Sequence, residues 1–193
     1  DLGLSTTPMV YWATTHLNAD ASVQMTASHN PAEYNGLKIS RTGALPVGGD
    51  SGLKDLEKMV NEKPVSPSER KGKVKDYSHV KDEYIEYFLP LSKGLEDLNL
   101  SVDCSNGMSN LVIKEILANN KNVHYIYDTF DGTFPNHEPN PLEEKNCRAL
   151  EKEVVKNNSD VGVIYDGDAD RVIFVDDRGE WVQPDYVTAV LGY

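Results

Sequence analysis

Val161-Gly162-Val163-Ile164-Tyr165-Asp166-Gly167-Asp168-Ala169-Asp170-Arg171-Val172-Ile173-Phe174-Val175 is the stretch on which the fold turns. Two short apolar runs flank an acidic, glycine-containing segment, and such bounded runs read as buried strands. Upstream, Cys147, Leu150 and Val154 fall on one face of a helix predicted over Glu143–Asn157. Before it lie a strand over Val123–Tyr127, a helix over Ser109–Asn119 with Val112, Ile113, Ile116 and Leu117 on one face, and a strand over Leu98–Cys104. Strands alternating with helices predict an α/β fold with right-handed crossovers. Downstream, the turn Asp176-Asp177-Arg178-Gly179 leads to Trp181-Val182, and a further helix is expected from Gln183.

The N-terminal half is less regular. Thr7-Pro8 reads as an N-cap followed by the first helical residue, with Met9, Val10, Ala13 and Leu17 on one face. Ser22–Ala27 reads as a strand that ends in the turn Ser28-His29-Asn30-Pro31, because proline cannot donate to a ladder. Asn35-Gly36 turns the chain into the extended piece Leu37-Lys38-Ile39. Ser51 caps a helix expected to bury Leu53, Leu56, Met59 and Val60. Residues 62–79, with Pro64, Pro67 and Gly72 among many charges, read as a linker. A helix over Val80–Leu89 is expected to stop at Pro90.

The composition narrows the function classes. The chain has 193 residues, 39% hydrophobic and 26% charged, which suits a globular protein and excludes disorder, coiled coil and collagen. A net charge of −12 argues against nucleic acid or an anionic membrane as partner, and the basic cluster Arg70–Lys75 reads as solvated linker. No apolar run approaches the ~18 residues a membrane span needs. The two cysteines, Cys104 and Cys147, sit in apolar patterns and read as buried thiols of a reducing, cytoplasmic compartment. Asp1–Ser5 has neither Met nor signal-peptide features and reads as the interior of a longer sequence.

Two segments carry candidate chemistry. In an extended segment Asp166, Asp168 and Asp170 fall on one side. Their mutual repulsion, about 1 kcal/mol per pair in water and several in a drier site, would be reversed by a hard cation with oxygen ligands. An acidic turn in a solvated hairpin is the alternative reading, and spacing alone leaves both open. An EF-hand is excluded, because Arg171 stands where its loop needs glycine and strands replace its helices. In the second segment Ser28, at a forced turn, is a candidate nucleophile with His29 or Lys38 moving protons. No G-x-S-x-G elbow surrounds it, and by its residues alone it reads first as an ordinary Asn-Pro turn. Ser105-Asn106-Gly107 is a connection that could offer N–H groups to an anion. His16 reads as structural; His79, His124 and His137 have no partner at metal-ligand spacing, and Asp103-Cys104 receives no role.

Together these segments resemble the α-D-phosphohexomutases. Thr26-Ala27-Ser28-His29-Asn30-Pro31-Ala32-Glu33-Tyr34-Asn35-Gly36-Leu37-Lys38 is similar to their phosphoserine loop, and Asp166–Arg171 to their metal loop. Val102–Gly107 and Asp131–Pro141 also match, in order. Tyr34–Lys38 and Ala44–Gly52 are closer to the phosphomannomutase/phosphoglucomutase branch than to the phosphoglucosamine mutases. The resemblance implies α/β mixed-sheet domains with helices on both faces and an incomplete first domain. It divides the chain into 1–74 (partial phosphoserine domain), 75–180 (metal-loop domain) and 181–193 (start of a third domain). It implies that Ser28 carries a phosphoryl group and passes it between the 1- and 6-positions of a hexose phosphate, through a hexose 1,6-bisphosphate that also serves as activator. Asp166, Asp168 and Asp170, with a phosphate oxygen on Ser28, would bind Mg²⁺. Lys38 would be the general acid/base with His29 beside it, and Arg171 would steady the phosphoserine loop.

The same resemblance sets limits. Family members have four domains, and the loops that read the sugar hydroxyls and the distal phosphate lie outside this chain. The fragment is therefore expected to be inactive alone. Its first domain is expected to self-associate through exposed strand edges. Ala169 stands where many members have glycine, and Mg²⁺ binding is expected to survive that change. A non-catalytic Mg²⁺ or sugar-phosphate binding module, or a plain α/β interaction domain, are the alternative readings.

Overall fold

A computed structural model describes residues 1–62 and 66–193. Among these, the chain forms α1 (Thr7–His16), β1 (Ala21–Met25), β2 (Leu37–Arg41), β3 (Leu45–Pro46), α2 (Lys54–Glu62) and α3 (Val80–Ser92). There follow β4 (Leu100–Asp103), α4 (Ile113–Ile116), β5 (Val123–Ile126), α5 (Arg148–Asn157), β6 (Val161–Tyr165), β7 (Val172–Val175), β8 (Trp181–Val182) and α6 (Pro184–Leu191). No helix is long and apolar enough to cross a membrane among the described residues.

The strands make two sheets. The first is an antiparallel β1-β2-β3 meander, with Val23 opposite Ile39 and Met25 opposite Leu37. The second has the order β5-β4-β6-β7-β8, parallel over β5-β4-β6 and antiparallel beyond, so it is mixed. β4 is buried along its whole length, as a central parallel strand covered on both faces should be. One face packs Cys147, Leu150 and Val154 against Ile164, Ile173 and Val175. The other packs Ile113 and Leu117 against Leu100, Val102 and Cys104. The α/β reading and the helices on both faces therefore hold for this sheet, which runs on to Val182. Both cysteines are free and buried, and burial pushes both thiols up to about 12.

A third cluster positions the site. Met9 and Ala13 of α1 pack with Val80, Tyr84 and Ile85 of α3 and with Val112. Burying a side chain the size of Met9, Val80 or Ile85 contributes about 1.5–3 kcal/mol of transfer free energy. This shared core holds the N-terminus of α1 against the end of β6.

Several local expectations need correction. Thr6, not Thr7, caps α1; its Oγ1 accepts from the Met9 N–H at 3.1 Å, and Pro8 falls one position deeper. α3 continues through Pro90 to Ser92, because a proline in the last turn removes only one bond of the ladder. The helix expected over Ser109–Asn119 is a 3₁₀ turn over Met108–Leu111 followed by the single turn of α4, split where Val112 takes φ −132°. α5 is likewise preceded by a 3₁₀ turn over Glu144–Cys147. α2 buries none of its residues, so Leu56, Met59 and Val60 face solvent, not a core. Residues 66–79 of the expected linker are mostly exposed and carry no helix or strand; its residues 63–65 lie outside the described residues.

Candidate active site and metal centre

The Ser28 turn and the Asp166–Arg171 loop, far apart in sequence, meet at the contact made by α1. The N–H of Thr7, in the first turn of α1, donates to the Asp168 carbonyl at 3.1 Å. Thr7 Oγ1 donates to Asp168 Oδ2 at 2.7 Å, and Thr26 Oγ1 to the same oxygen at 3.1 Å. A negative group is favoured at a helix N-terminus, so this docking is electrostatically sound. Thr7 and Thr26 were not singled out by their sequence context. A hydroxyl meeting a carboxylate across most of the chain leaves no local signal.

Ser28 occupies the left-handed region with φ +56°, unusual for a residue with a Cβ. The Ser28 N–H donates to Thr26 Oγ1 at 2.7 Å, and the Asn30 side chain donates to the Ala27 carbonyl at 2.8 Å. These bonds hold the strained turn and project the Ser28 hydroxyl. Its Oγ lies 3.4 Å from Asp166 Oδ2 and 3.3 Å from Asp168 Oδ1. Lys38 Nζ and His29 Nδ1 each lie 3.3 Å from it. Lys38 arrives from β2, whose pairing with β1 sets it opposite Gln24, close to the Ser28 turn.

Two glycines permit the contact. A Cβ on Gly167 would collide with the Ser28 carbonyl, and one on Gly107 would lie 2.8 Å from the Gly167 carbonyl. The Met108 N–H binds that same carbonyl at 2.9 Å. The Ser105–Gly107 turn thus supports the acidic loop from below, a role its sequence did not disclose.

Asp166, Asp168 and Asp170 each offer an oxygen within 4.8 Å of the others, the one such group among the described residues. Lys38 Nζ bridges Asp168 at 2.7 Å and Asp170 at 2.5 Å. Arg171 Nε stands 4.0 Å from Asp166, while the Asp170 and Arg171 N–H groups donate to Asp166 Oδ1 at 3.0 and 3.1 Å. Burial and then the charge of Asp168 push the Asp166 carboxyl up to about 7. Burial alone would raise Asp168 too, but hydrogen bonds from Lys38 and Thr7 outweigh it and hold its carboxyl below the usual range. For Lys38, burial is outweighed by its bonds to Asp168 and Asp170, which raise its pKa and keep it an ammonium. Burial and then Arg171 lower His29, leaving it neutral near pH 7. The positive charge deficit therefore sits on Asp166. Three carboxylates with a hydroxyl alongside are a hard oxygen donor set, which fits Mg²⁺.

Every residue singled out as catalytic or metal-binding (Ser28, His29, Lys38, Asp166, Asp168, Asp170 and Arg171) lies at this junction. The site is thus a serine hydroxyl set beside three clustered carboxylates and a lysine ammonium, on a two-sheet α/β protein. Residues 1–64 match the family model for phosphoglucomutase/phosphomannomutase alpha/beta/alpha domain I, and residues 82–179 that for domain II. The chain belongs to the phosphoglucomutase/phosphomannomutase family. It is 37% identical to a phosphomannomutase of Salmonella montevideo and 33% identical to one of Escherichia coli, each over 99% of this chain. It spans 44% of the length of those relatives. A crystal structure of a phosphoglucomutase/phosphomannomutase family protein from Burkholderia thailandensis superposes with TM-score 0.78 at 27% identity, over all of this chain and 44% of its own. A putative phosphomannomutase from Thermus thermophilus gives 0.80 at 25% identity, over 97% and 44%.

Proposed function

We propose that this chain carries the phosphoserine and metal half of a phosphohexomutase. The whole protein would move a phosphoryl group between the 1- and 6-positions of a hexose phosphate. The convergence of Lys38, His29, Asp166 and Asp168 within 3.4 Å of Ser28 Oγ carries this reading. The relatives named phosphomannomutase support it.

In this reading the hydroxyl of a hexose phosphate attacks the phosphorus of phosphorylated Ser28, and the P–Oγ bond breaks. Lys38, held as an ammonium, donates a proton to the departing Oγ. The attacking hydroxyl gives its proton to solvent, and Lys38 is left as the neutral amine. The hexose 1,6-bisphosphate then presents its other phosphate. Ser28 Oγ attacks that phosphorus while the neutral Lys38 amine takes the Ser28 proton and becomes an ammonium again. The P–O bond to the sugar breaks, and solvent protonates the sugar oxygen that leaves. Neutral His29 steadies the Ser28 hydroxyl, and Arg171 helps to steady the phosphoserine loop. Mg²⁺, held by Asp166, Asp168, Asp170 and a Ser28 phosphate oxygen, would neutralise charge on the transferring group.

This chain spans 44% of the length of the phosphomannomutases it matches, so it is proposed not to turn over alone. The buried free thiols support a reducing, cytoplasmic setting. The exposed apolar face of Val23, Met25 and Leu37 supports self-association of the first sheet.

The experiment is incubation with hexose 1,6-bisphosphate and Mg²⁺, followed by intact mass and peptide mapping of the wild type and S28A. Phosphate on Ser28, absent in S28A, is expected. Phosphate elsewhere would overturn the site, and Mg²⁺ binding without any phosphorylation would favour the binding-module reading.

A further inference from the structure

His137 lies in the Asp131–Pro141 loop, and its side chain is 10% exposed. Its Nε2 is 3.0 Å from Asp103 Oδ2, and its Nδ1 is 2.9 Å from the Glu138 carbonyl. A carbonyl and a carboxylate only accept, so both ring nitrogens must donate and the ring is an imidazolium. Asp103 is wholly buried and also takes the Ser105 N–H on Oδ1 at 2.8 Å. The Tyr127 ring meets His137 edge-on, with centroids 5.3 Å apart. Burial alone would lower the ring's pKa, but the hydrogen bond and charge of Asp103 outweigh it and raise it.

This pair sits where the acidic loop is supported. Asp103 ends β4, paired with Ile164 on β6, two residues before Asp166. Asn136, next to His137, donates to Asn106 Oδ1 at 2.7 Å, and the Asp131 N–H donates to the Asn106 carbonyl at 3.0 Å. A Cβ on Gly167 would meet both Phe134 and Pro139 at 3.5 Å. The loop that His137 pins therefore covers the glycine between two of the three aspartates.

We propose that His137, charged and paired with Asp103, is a positioning residue that seats the 131–141 loop under the Asp166–Asp170 loop and so prearranges its carboxylates for a cation. The cation comes from the proposed function, on which the inference rests. Charge-assisted bonds are roughly twice as strong as neutral ones, and a neutral ring must give up one of its two. The support is therefore strongest below the raised pKa and weakens as pH rises through it. The other titratable groups around His137 are Tyr127, Lys145, Arg148, Lys152 and Glu153, which line a shallow hollow with it, and the thiol of Cys147, whose charge interaction with Asp103 marks it as a neighbour. Lys145 and Arg148 are neutralised by Glu143 and Glu138, and by Glu144 and Glu151, so Asp103 is the dominant partner.

The test follows His137 by its ring NMR signal and Mg²⁺ affinity by calorimetry, in the wild type, H137Q and D103N, from pH 6 to 9. The wild-type ring is expected to titrate above ~6.5, and in D103N at a lower pH. At pH 6.5 both variants should bind Mg²⁺ about tenfold more weakly, the usual loss when a supporting partner is removed. The variant-to-wild-type ratio should fall toward one as the wild-type ring loses its proton; titration of Asp166 is common to all three and cancels. Ratios of one throughout, or a ratio that ignores pH, would overturn the inference while leaving the metal reading intact. A wild type that binds no Mg²⁺ at any pH would overturn the metal reading and this inference with it. If H137Q fails to fold, D103N and the wild-type titration decide.

Discussion

Lys38 Nζ lies 3.3 Å from Ser28 Oγ and at the same time 2.7 Å from Asp168 Oδ2. One ammonium thus serves both the candidate nucleophile and the carboxylate cluster. Without it Asp168, 2% exposed, would face Asp166 and Asp170 with no cationic side chain among the described residues bound to it.

Replacing Lys38 by Met therefore leaves a buried carboxylate without its partner. A loss of about 2–3 kcal/mol is expected in metal-free protein. Thermal unfolding with and without Mg²⁺ checks this: the ion should raise the melting temperature of K38M more than that of the wild type, because it restores the missing charge. An equal rise in both would refute the shared role.

Asp166 sets a pH dependence. Its folded pKa is raised to about 7, against ~3.9 in an unfolded chain. The folded state holds this proton longer, so the metal-free protein loses stability as pH rises from ~4 through 7. Asn in place of Asp166 removes the charge but keeps an oxygen for the two N–H donors. D166N should melt higher than wild type at pH 8 without Mg²⁺, match it only below ~pH 4, and show no calorimetric Mg²⁺ signal. A D166N protein less stable than wild type at pH 8 would show that the buried charge is not a burden.

Gly167 is required by close approach. G167A sets its new Cβ against the Ser28 carbonyl, so the two loops must separate. A destabilisation of about 1–3 kcal/mol is expected from such overpacking, with Mg²⁺ affinity falling alongside. Unchanged melting and unchanged affinity would show that the loops do not meet.

Ala169 makes the opposite case. Its φ is +63°, where a Cβ costs roughly 1–2 kcal/mol. A169G should raise the melting temperature and leave Mg²⁺ affinity unaltered, because residue 169 supplies only backbone. A drop in affinity would give the methyl group a role beyond strain.

Val23, Met25 and Leu37 share one face of β1-β2, and Met25 is 71% exposed. Light scattering should show mass rising with concentration, and M25K should suppress the rise. A monomer at the highest soluble concentration would remove self-association from the account.

The elements that read correctly are those whose apolar period was written locally, namely the strands around 100, 123, 161 and 172 and the helix before 161. Pro90 misled because a proline in the last turn of a helix removes only one bond of the ladder, and Val112 because an apolar period does not show where the backbone leaves the helix. The apolar stripe of α2 carried a strong helical period, yet a period cannot say whether anything covers the face. Ser28, Lys38 and the three aspartates were legible through the family resemblance; by their residues alone Ser28 reads as an ordinary turn and the spacing of the aspartates leaves a cation site and a solvated acidic turn equally open. Thr7, Thr26, Gly107 and the Asp103–His137 pair were not, since each acts on a partner tens of residues away.

By itself, then, the sequence determined the α/β alternation and which side chains were candidates, a serine at a forced turn and three closely spaced aspartates, because both are written in residue types at short spacing. Only the tertiary structure decided their charge states. It set α1 against the end of β6, buried Asp166 without a full counter-charge, gave Asp168 to Lys38, and obliged His137 to keep both its protons. Burial and the distance between charges fix a proton, and both exist only once the chain has folded.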